Sequence, residues 1–264
     1  MKKISIIFTL FLFLSSLAPK VCISSQDAGY SVQSALVDQA TITFKSFLSD
    51  PDMTWFRENL CSAKALLIIP QLLKGAFIFG AEGGTGVLIA KDEHTGEWSQ
   101  PVFYTLASAS FGLQAGAETS SIILMIMTDK GMDALLSTSV KLGGDVSVAA
   151  GPYGAGAKAA TVDVLAFARA KGAFGGISVE GSVIMPRDSY NIAYYQKNVR
   201  PVDIIIRKNA CNPHSASLIK AVSDACPNVI NETENQPQAD QGQPAEGEKA
   251  VVTAPPISEG PVTQ

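Results

Sequence analysis

Glycine is concentrated in the middle of this chain, and this concentration limits the folds that the chain can adopt. Of the 22 glycines among the 264 residues, 18 lie between Gly75 and Gly181. Glycine inside a strand marks a bulge, a bend or the close approach of another backbone. Short apolar segments run between these glycines, so we expect a mainly antiparallel, strongly curved sheet. The predicted strands are 65–69, 76–81, 86–91, 102–107, 111–118, 120–128, 146–150, 161–169 and 174–185.

Helices are predicted on both sides of this Gly-rich sheet. Val37, Phe44 and Phe47 recur at the spacing of one helical face, which predicts an amphipathic helix within residues 25–50. The pair Asp50-Pro51 is typical of an N-cap followed by proline in the first turn, and predicts a second helix. These elements together predict an α+β domain with N-terminal and C-terminal helices. Further helices are predicted at 129–137, 188–195, 201–208 and 213–225.

The two ends of the chain differ in composition from the predicted domain at 51–227. Residues 1–24 place Lys2 and Lys3 before an apolar run, which is typical of a secretory signal peptide. Residues 228–264 are rich in Pro, Gln, Glu and Gly, which predicts a disordered acidic tail. We therefore expect an exported protein, periplasmic or extracellular and peripheral at a membrane, without a lipoprotein anchor at Cys22.

The four cysteines fit an oxidising compartment. Cys211 and Cys226 bracket a short segment near the end of the predicted domain, and they are the candidate disulfide. Cys61 lies in a predicted helix, where we expect a buried thiol. None of these positions has the spacing of a metal site, so we expect no metal.

Charge excludes one class of partner and leaves another open. The formal net charge is −4, whereas nucleic-acid-binding domains are usually strongly basic, so we expect no nucleic-acid binding. The tail contributes −5 and the signal segment +3, which leaves −2 for the folded part. A local cationic face on that part remains compatible with an anionic membrane.

No motif predicts catalysis or a cofactor. The segment 80–86 lacks the G-x-G-x-x-G spacing, and 151–158 places Lys158 one position late for a phosphate-binding loop. His94 falls in a predicted hairpin and His214 near a helix start, where solvated or capping roles are expected. Carboxylates are scattered along the predicted strands without a pattern that pairs any two of them. We therefore expect that the protein is not an enzyme and needs no cofactor.

A series of short motifs follows a fixed order from Asp52 to Arg207. The series resembles the SYLF domain family in order and approximate spacing, although no single motif is specific. Its parts are AKALLIIP (63–70), KG (74–75), GTGVL (84–88), GEWSQP (96–101), GLQAG (112–116), LGGD (142–145), AGP (150–152), KGAFGG (171–176), EG (180–181) and YY (194–195).

The resemblance implies binding to phospholipid membranes, often through acidic or phosphoinositide headgroups, and implies no catalysis. Some eukaryotic members of the family also bind actin, but this is not expected of an exported bacterial member. The resemblance implies that exported bacterial members are lipid-binding modules of the cell envelope. The chain departs from the family at 167–170, where Phe-Ala-Arg-Ala stands in place of an aromatic residue and serine. A headgroup contact by that hydroxyl is therefore not expected, although Arg169 adds a cation there.

Lipid binding needs cations for the headgroup phosphate and an apolar face for the acyl chains. The helix of Val37, Phe44 and Phe47 either packs on the core or inserts into the lipid. The alternative function is an envelope structural or protein-interaction module without lipid specificity, whose protein partner is unknown. The candidate lipid-binding residues are Lys64, Lys74, Lys158, Arg169, Lys171 and Phe174.

Overall fold

The computed structural model describes residues 31–76, 79–111, 116–150, 162–171 and 179–227. The predicted signal peptide and acidic tail lie outside these residues and stay predictions. The described helices are α1 (Val32–Ser49), α2 (Thr54–Leu60), α3 (Asp129–Leu135), α4 (Asp188–Tyr195), α5 (Pro201–Ile205) and α6 (Ala216–Ala225). The described strands are β1 (Ala65–Ala76), β2 (Phe79–Ala90), β3 (Val102–Phe111), β4 (Gly116–Ile126), β5 (Val140–Lys141), β6 (Val148–Ala150), β7 (Val164–Lys171) and β8 (Val183–Pro186).

The strands form one curled sheet in the order β5-β8-β3-β2-β1-β4-β7-β6. Every pairing among them is antiparallel except β6 with β7. The predicted α+β class with a strongly curved, mainly antiparallel sheet is therefore confirmed. Several strands are longer than predicted, because the sheet continues through glycines that interrupted the hydrophobic pattern. In contrast, the predicted strand at 174–185 is wrong at 179–182, since β8 begins at Val183, and its part at 174–178 lies outside the described residues.

The central strand β1 bends at Pro70. Its pairing register shifts there against both neighbours, between Ile68 and Gln71 on the β2 side. Proline has no N–H to donate, so a bulge is the place where a central strand tolerates it. A Cβ on Gly84 would lie 2.7 Å from the Gln71 carbonyl oxygen, and one on Gly86 would lie 2.7 Å from Ile69. These two glycines therefore permit the close approach of β2 that the sequence predicted.

The sheet has two apolar faces. The front face carries Leu66 and Ile68 and packs against α1, α2, α4 and α6. The back face carries Leu67 and Ile69 and packs against α3, α5 and the short edge strands. Because side chains alternate along a strand, every second residue lies on the same face, also where no helix covers the sheet. This alternation fixes the face on which each candidate residue lies.

The observed disulfide corrects the predicted one. Cys226 is bonded to Cys61, with the two Cα atoms 5.2 Å apart. Cys211 is also disulfide-bonded, but not to Cys226. Helix α6 lies between Cys211 and Cys226, and its ten residues span about 15 Å, whereas a disulfide needs Cα atoms within about 7 Å. Cys61 is therefore not the free buried thiol that the sequence suggested.

One buried carboxylate organises the junction of β7 with α3. Asp163 accepts hydrogen bonds from the Thr128 hydroxyl, from the backbone and hydroxyl of Ser147, and from the Lys130 ammonium. Burial opposes ionisation of Asp163, but these donors outweigh it and hold the pKa of the carboxyl well below its ordinary value. Asp163 thus has a structural role, because it ties the start of α3 and the residue before β6 to the start of β7.

Candidate functional site

Lys64, the first predicted lipid-binding cation, is tied into an ion-pair network. Its ammonium contacts the Glu93 carboxylate and lies 2.7 Å from Asp129 at the start of α3. Hydrogen bonds to Asp129 and Glu93 raise the pKa of Lys64. The network joins the start of β1 to the β2–β3 hairpin and to α3. Two carboxylates already neutralise Lys64, so its environment does not favour a phosphate.

Lys74 lies about 30 Å from Lys64 along β1 and sits between two carboxylates. Its cross-strand partners are Glu82 on β2 and Glu118 on β4. Glu118 is buried, and its Oε1 accepts no hydrogen bond from the described residues. Burial raises the pKa of Glu82; the nearby Lys74 opposes this shift and the Glu118 charge adds to it. The surroundings of Lys74 are therefore net negative, which disfavours an anionic headgroup.

Arg169 lies on the front face near the end of β7. Its Nε is 2.9 Å from Asp50 Oδ2, and its Nη1 donates to the Ser46 hydroxyl. The guanidinium also lies over the Phe47 ring, 5.8 Å from the ring centroid. These contacts come from the last turn of α1 and the residue that follows it. Arg169 is thus held in place, yet 42% of its side chain remains exposed.

A groove of about 500 Å³ opens beside Arg169, between α1 and the sheet. Most of its lining residues are neutral and polar, and Phe47 and Pro70 belong to its apolar part. Ile42 also lines the groove and is 67% exposed. The exposed Leu73 pairs with Thr119, a groove residue, and so adds apolar surface beside it. The polar lining comprises Gln39, Thr43, Ser46, Gln71, Thr119, Ser120 and Ser121.

The predicted apolar stripe of α1 faces the protein core. Val37, Phe44 and Phe47 are at most 1% exposed and pack with α2, α6 and the front face. Their insertion into lipid, which the sequence left open, is therefore wrong, because the sheet already covers them. The apolar side chains that α1 exposes are Val32 and Ile42, on the other side of the helix.

The other candidates are only partly described. Lys158 and Phe174 lie outside the described residues. Lys171 ends β7, where it pairs with Thr119, but its side chain also lies outside the description. The sheet register places Lys74, Arg169 and Lys171 toward one end and Lys64 at the other. Among the predicted residues whose side chains the structure describes, Arg169 and Phe47 line the groove.

The sequence did not predict the rest of the groove. Asp50 was assigned only as a helix cap, and it does accept a hydrogen bond from the Asp52 N–H. Its second role, pairing with Arg169, depends on a contact across 119 positions of sequence. Ile42 gave a detectable signal, because it is an apolar residue on the polar face of the predicted helix.

Among the described residues, no cluster of three or more His, Cys, Asp or Glu is placed to hold a metal ion. None of the described helices is both long enough and apolar enough to cross a membrane.

Comparison with known proteins places this fold in a family. A family model described as Ysc84, Las17-binding protein actin regulator, matches residues 107–225. LAS seventeen-binding protein 3 of Saccharomyces cerevisiae is 38% identical over 147 residues, which cover 52% of this chain and 31% of that protein. Human SH3 domain-containing YSC84-like protein 1 is 29% identical over 161 residues, which cover 59% of this chain and 46% of that protein.

The chain thus spans less than half the length of these relatives. No solved structure matches it. The matched segment includes the end of β3, the strands β4 to β8 and the helices α3 to α6, and it begins after β1 and β2. The expected family resemblance is confirmed: residues 107–225 match the model of the Ysc84 (SYLF) family.

Proposed function

We propose that this protein is an exported, non-enzymatic module that binds phospholipid at a membrane surface through the groove beside Arg169. The observation that carries the proposal is the pairing of a fixed, partly exposed guanidinium with exposed apolar side chains at the same groove. The contacts of Arg169 with described residues use two of its five N–H donors, one for Asp50 and one for Ser46. The remaining donors, with the neighbouring hydroxyls, suit the oxygens of one phosphate.

The apolar part of the proposed contact is Ile42 and Leu73. Both are large aliphatic side chains, 67% and 55% exposed, and the removal of their apolar surface from water is favourable. Transfer of such a side chain into the acyl boundary contributes about 1.5–3 kcal/mol when burial is complete. Phosphate contact at Arg169 and aliphatic contact at Ile42 together match the amphipathic chemistry of a phospholipid.

Export to the periplasm or the extracellular space is part of the proposal. The residues of the signal-like segment 1–24 support it. The Cys61–Cys226 disulfide supports it independently, because disulfides persist in oxidising compartments.

Replacing both Ile42 and Leu73 by serine is expected to weaken vesicle binding about tenfold to a hundredfold, because two apolar contacts are lost. The measurement is flotation of the full chain with vesicles of phosphatidylcholine alone or mixed with phosphatidylglycerol. We expect binding of the unmodified protein to be stronger with the anionic mixture, since Arg169 provides a cation.

Val32→Ser is the matched control. Val32 is as exposed as Ile42 and lies on the same helix, but it does not line the groove. Equal binding by the control and the double variant, or no flotation of the unmodified protein with either vesicle, contradicts the proposal.

A second candidate function is binding to a protein of the actin machinery. It is favoured by the description of the matching family model as a Las17-binding actin regulator. Under this alternative, the full chain is expected to sediment with actin filaments at physiological salt. Serum albumin, which is also acidic, serves as the control. Sedimentation no greater than that of albumin contradicts this alternative and leaves the lipid proposal unaffected.

A further inference from the structure

The turn between α4 and α5 and the residues after α5 expose a basic and apolar surface that the groove does not include. Its exposed side chains are Lys197, Arg200, Ile206 and Arg207, which we call the α5 corner. Ile206 is 59% exposed, and the side chains of Arg200 and Arg207 are 68% and 57% exposed. The sequence predicted a helix here and no function.

The backbone of the α5 corner is firmly anchored. Val199 and Ile204 are buried in the back-face core, so the segment is held from beneath. Gln196 and Lys208, on either side of it, have φ values of 50° and 52°. This left-handed conformation is unfavourable for residues other than glycine, and it persists only where the surroundings hold it. The corner is therefore pre-organised, which lowers the entropy cost of binding.

The charges of the corner are arranged around one carboxylate. Asp203 lies 2.6 Å from Arg207 Nη1 and 3.7 Å from Arg200 Nε, and it accepts a hydrogen bond from the Arg200 N–H. The Arg200 backbone and the Arg207 side chain lower the pKa of Asp203, so it stays ionised and orients both guanidinium groups. The Lys197 ammonium donates to the Asn209 carbonyl oxygen beside them. Two arginines thus flank one carboxylate, and a lysine lies beside them, in a chain whose net charge is −4.

The corner and the groove point in different directions. The groove lies on the front face, whereas the corner is anchored on the back face. Lys208, next to Arg207, pairs with Asp92 just beyond the end of β2. That end is about 20 Å from the groove along the strands. A membrane that contacts the groove therefore does not reach the α5 corner.

We infer that the α5 corner is a docking surface for an acidic segment of a protein partner that also carries apolar side chains. The cations complement acidic side chains, and Ile206 complements an aliphatic or aromatic one. Arginine is enriched at protein interfaces, and the buried centre of an interface is more apolar than its rim. Because the proposed membrane contact lies at the groove, on the other face of the sheet, we assign the corner to a protein and not to lipid. This inference goes beyond the proposed function and uses it only to assign the groove to the membrane.

The test is selection of a random peptide library, displayed on phage, against the immobilised full chain. We expect the enriched peptides to combine Asp or Glu with Leu, Ile or aromatic residues. An enriched peptide, labelled for fluorescence anisotropy, should bind the double variant Arg200→Gln/Arg207→Gln about tenfold more weakly or worse, since two interface arginines are lost. The vesicle binding of this variant should be unchanged.

Lys220→Gln is the matched control, because Lys220 forms the same kind of i,i+4 pair with Asp224 on α6 as Arg207 forms with Asp203. It should bind the peptide like the unmodified protein. Far-ultraviolet circular dichroism confirms that each variant is folded. The inference is overturned if acidic peptides are not enriched, if the double variant and the control bind alike, or if the double variant loses vesicle binding in parallel. Failure of the unmodified protein to bind vesicles overturns only the lipid proposal.

Discussion

Replacing Cys61 and Cys226 together by serine is expected to lower the free energy of unfolding by about 5 kcal/mol. The bond joins positions 165 residues apart, and in the chain-entropy model a cross-link stabilises by restricting the unfolded chain over such a loop. It also fastens the end of α6 to the end of α2. Urea unfolding of the full chain, followed by tryptophan fluorescence, measures the change.

Peptide mapping without reductant provides the covalent control. The peptide that carries Cys61 should be recovered joined to the one that carries Cys226. Recovery of Cys226 joined to Cys211 instead would falsify the observed pairing. A change in unfolding free energy below about 1 kcal/mol would show that the cross-link restricts the unfolded chain little.

Replacing Phe44 by alanine is expected to cost about 3–5 kcal/mol of stability, because a fully buried ring is removed and a cavity remains. The ring packs edge-on against Phe56, with their centroids 6.2 Å apart. Phe56 in turn contacts Phe47 and Phe167, so the cluster joins α1 and α2 to β7. Urea unfolding measures the loss.

The control for this prediction is Ile42→Ala on the same helix. Ile42 is 67% exposed, so its truncation should change stability by about 0.5 kcal/mol or less. Vesicle binding should respond in the opposite order. Ile42→Ala should bind vesicles more weakly, whereas the folded molecules of Phe44→Ala should bind like the unmodified protein. A Phe44→Ala protein of normal stability that no longer binds vesicles would restore the rejected lipid role of the apolar stripe.

The elements of the fold were predictable where the pattern is local. Helix α4 was predicted with its observed bounds, because the acidic Asp188 marks its first turn and a run of polar residues follows Tyr195. The hairpin after β2 was also predicted, and Asp92 there accepts hydrogen bonds from the backbones of His94 and Thr95. Strand lengths were not predictable, since whether a strand continues through glycine depends on its neighbours in the sheet.

The candidate site was less predictable than the fold. Sequence identified Arg169 as a cation, but its pairing with Asp50 and its place over Phe47 depend on how α1 crosses the sheet. Lys64 looked equally suitable, and only the fold shows that Glu93 and Asp129 neutralise it. The pairing of Cys61 with Cys226 also depends on tertiary contacts, because α6 separates the two cysteines that are nearest in sequence.

The central position of β1 has a consequence for biosynthesis. β1 is the first strand to leave the ribosome, yet it pairs on both sides, with β2 and with β4. Its second edge stays open until Ile126, the partner of Ala65, has been synthesised. Until then β1 has at most one paired edge, and the apolar run from Leu66 to Ile69 lies beside an open edge, which is a template for aggregation. The nascent chain therefore has a vulnerable interval of about 60 residues, during which a chaperone that binds extended apolar segments has its target in β1.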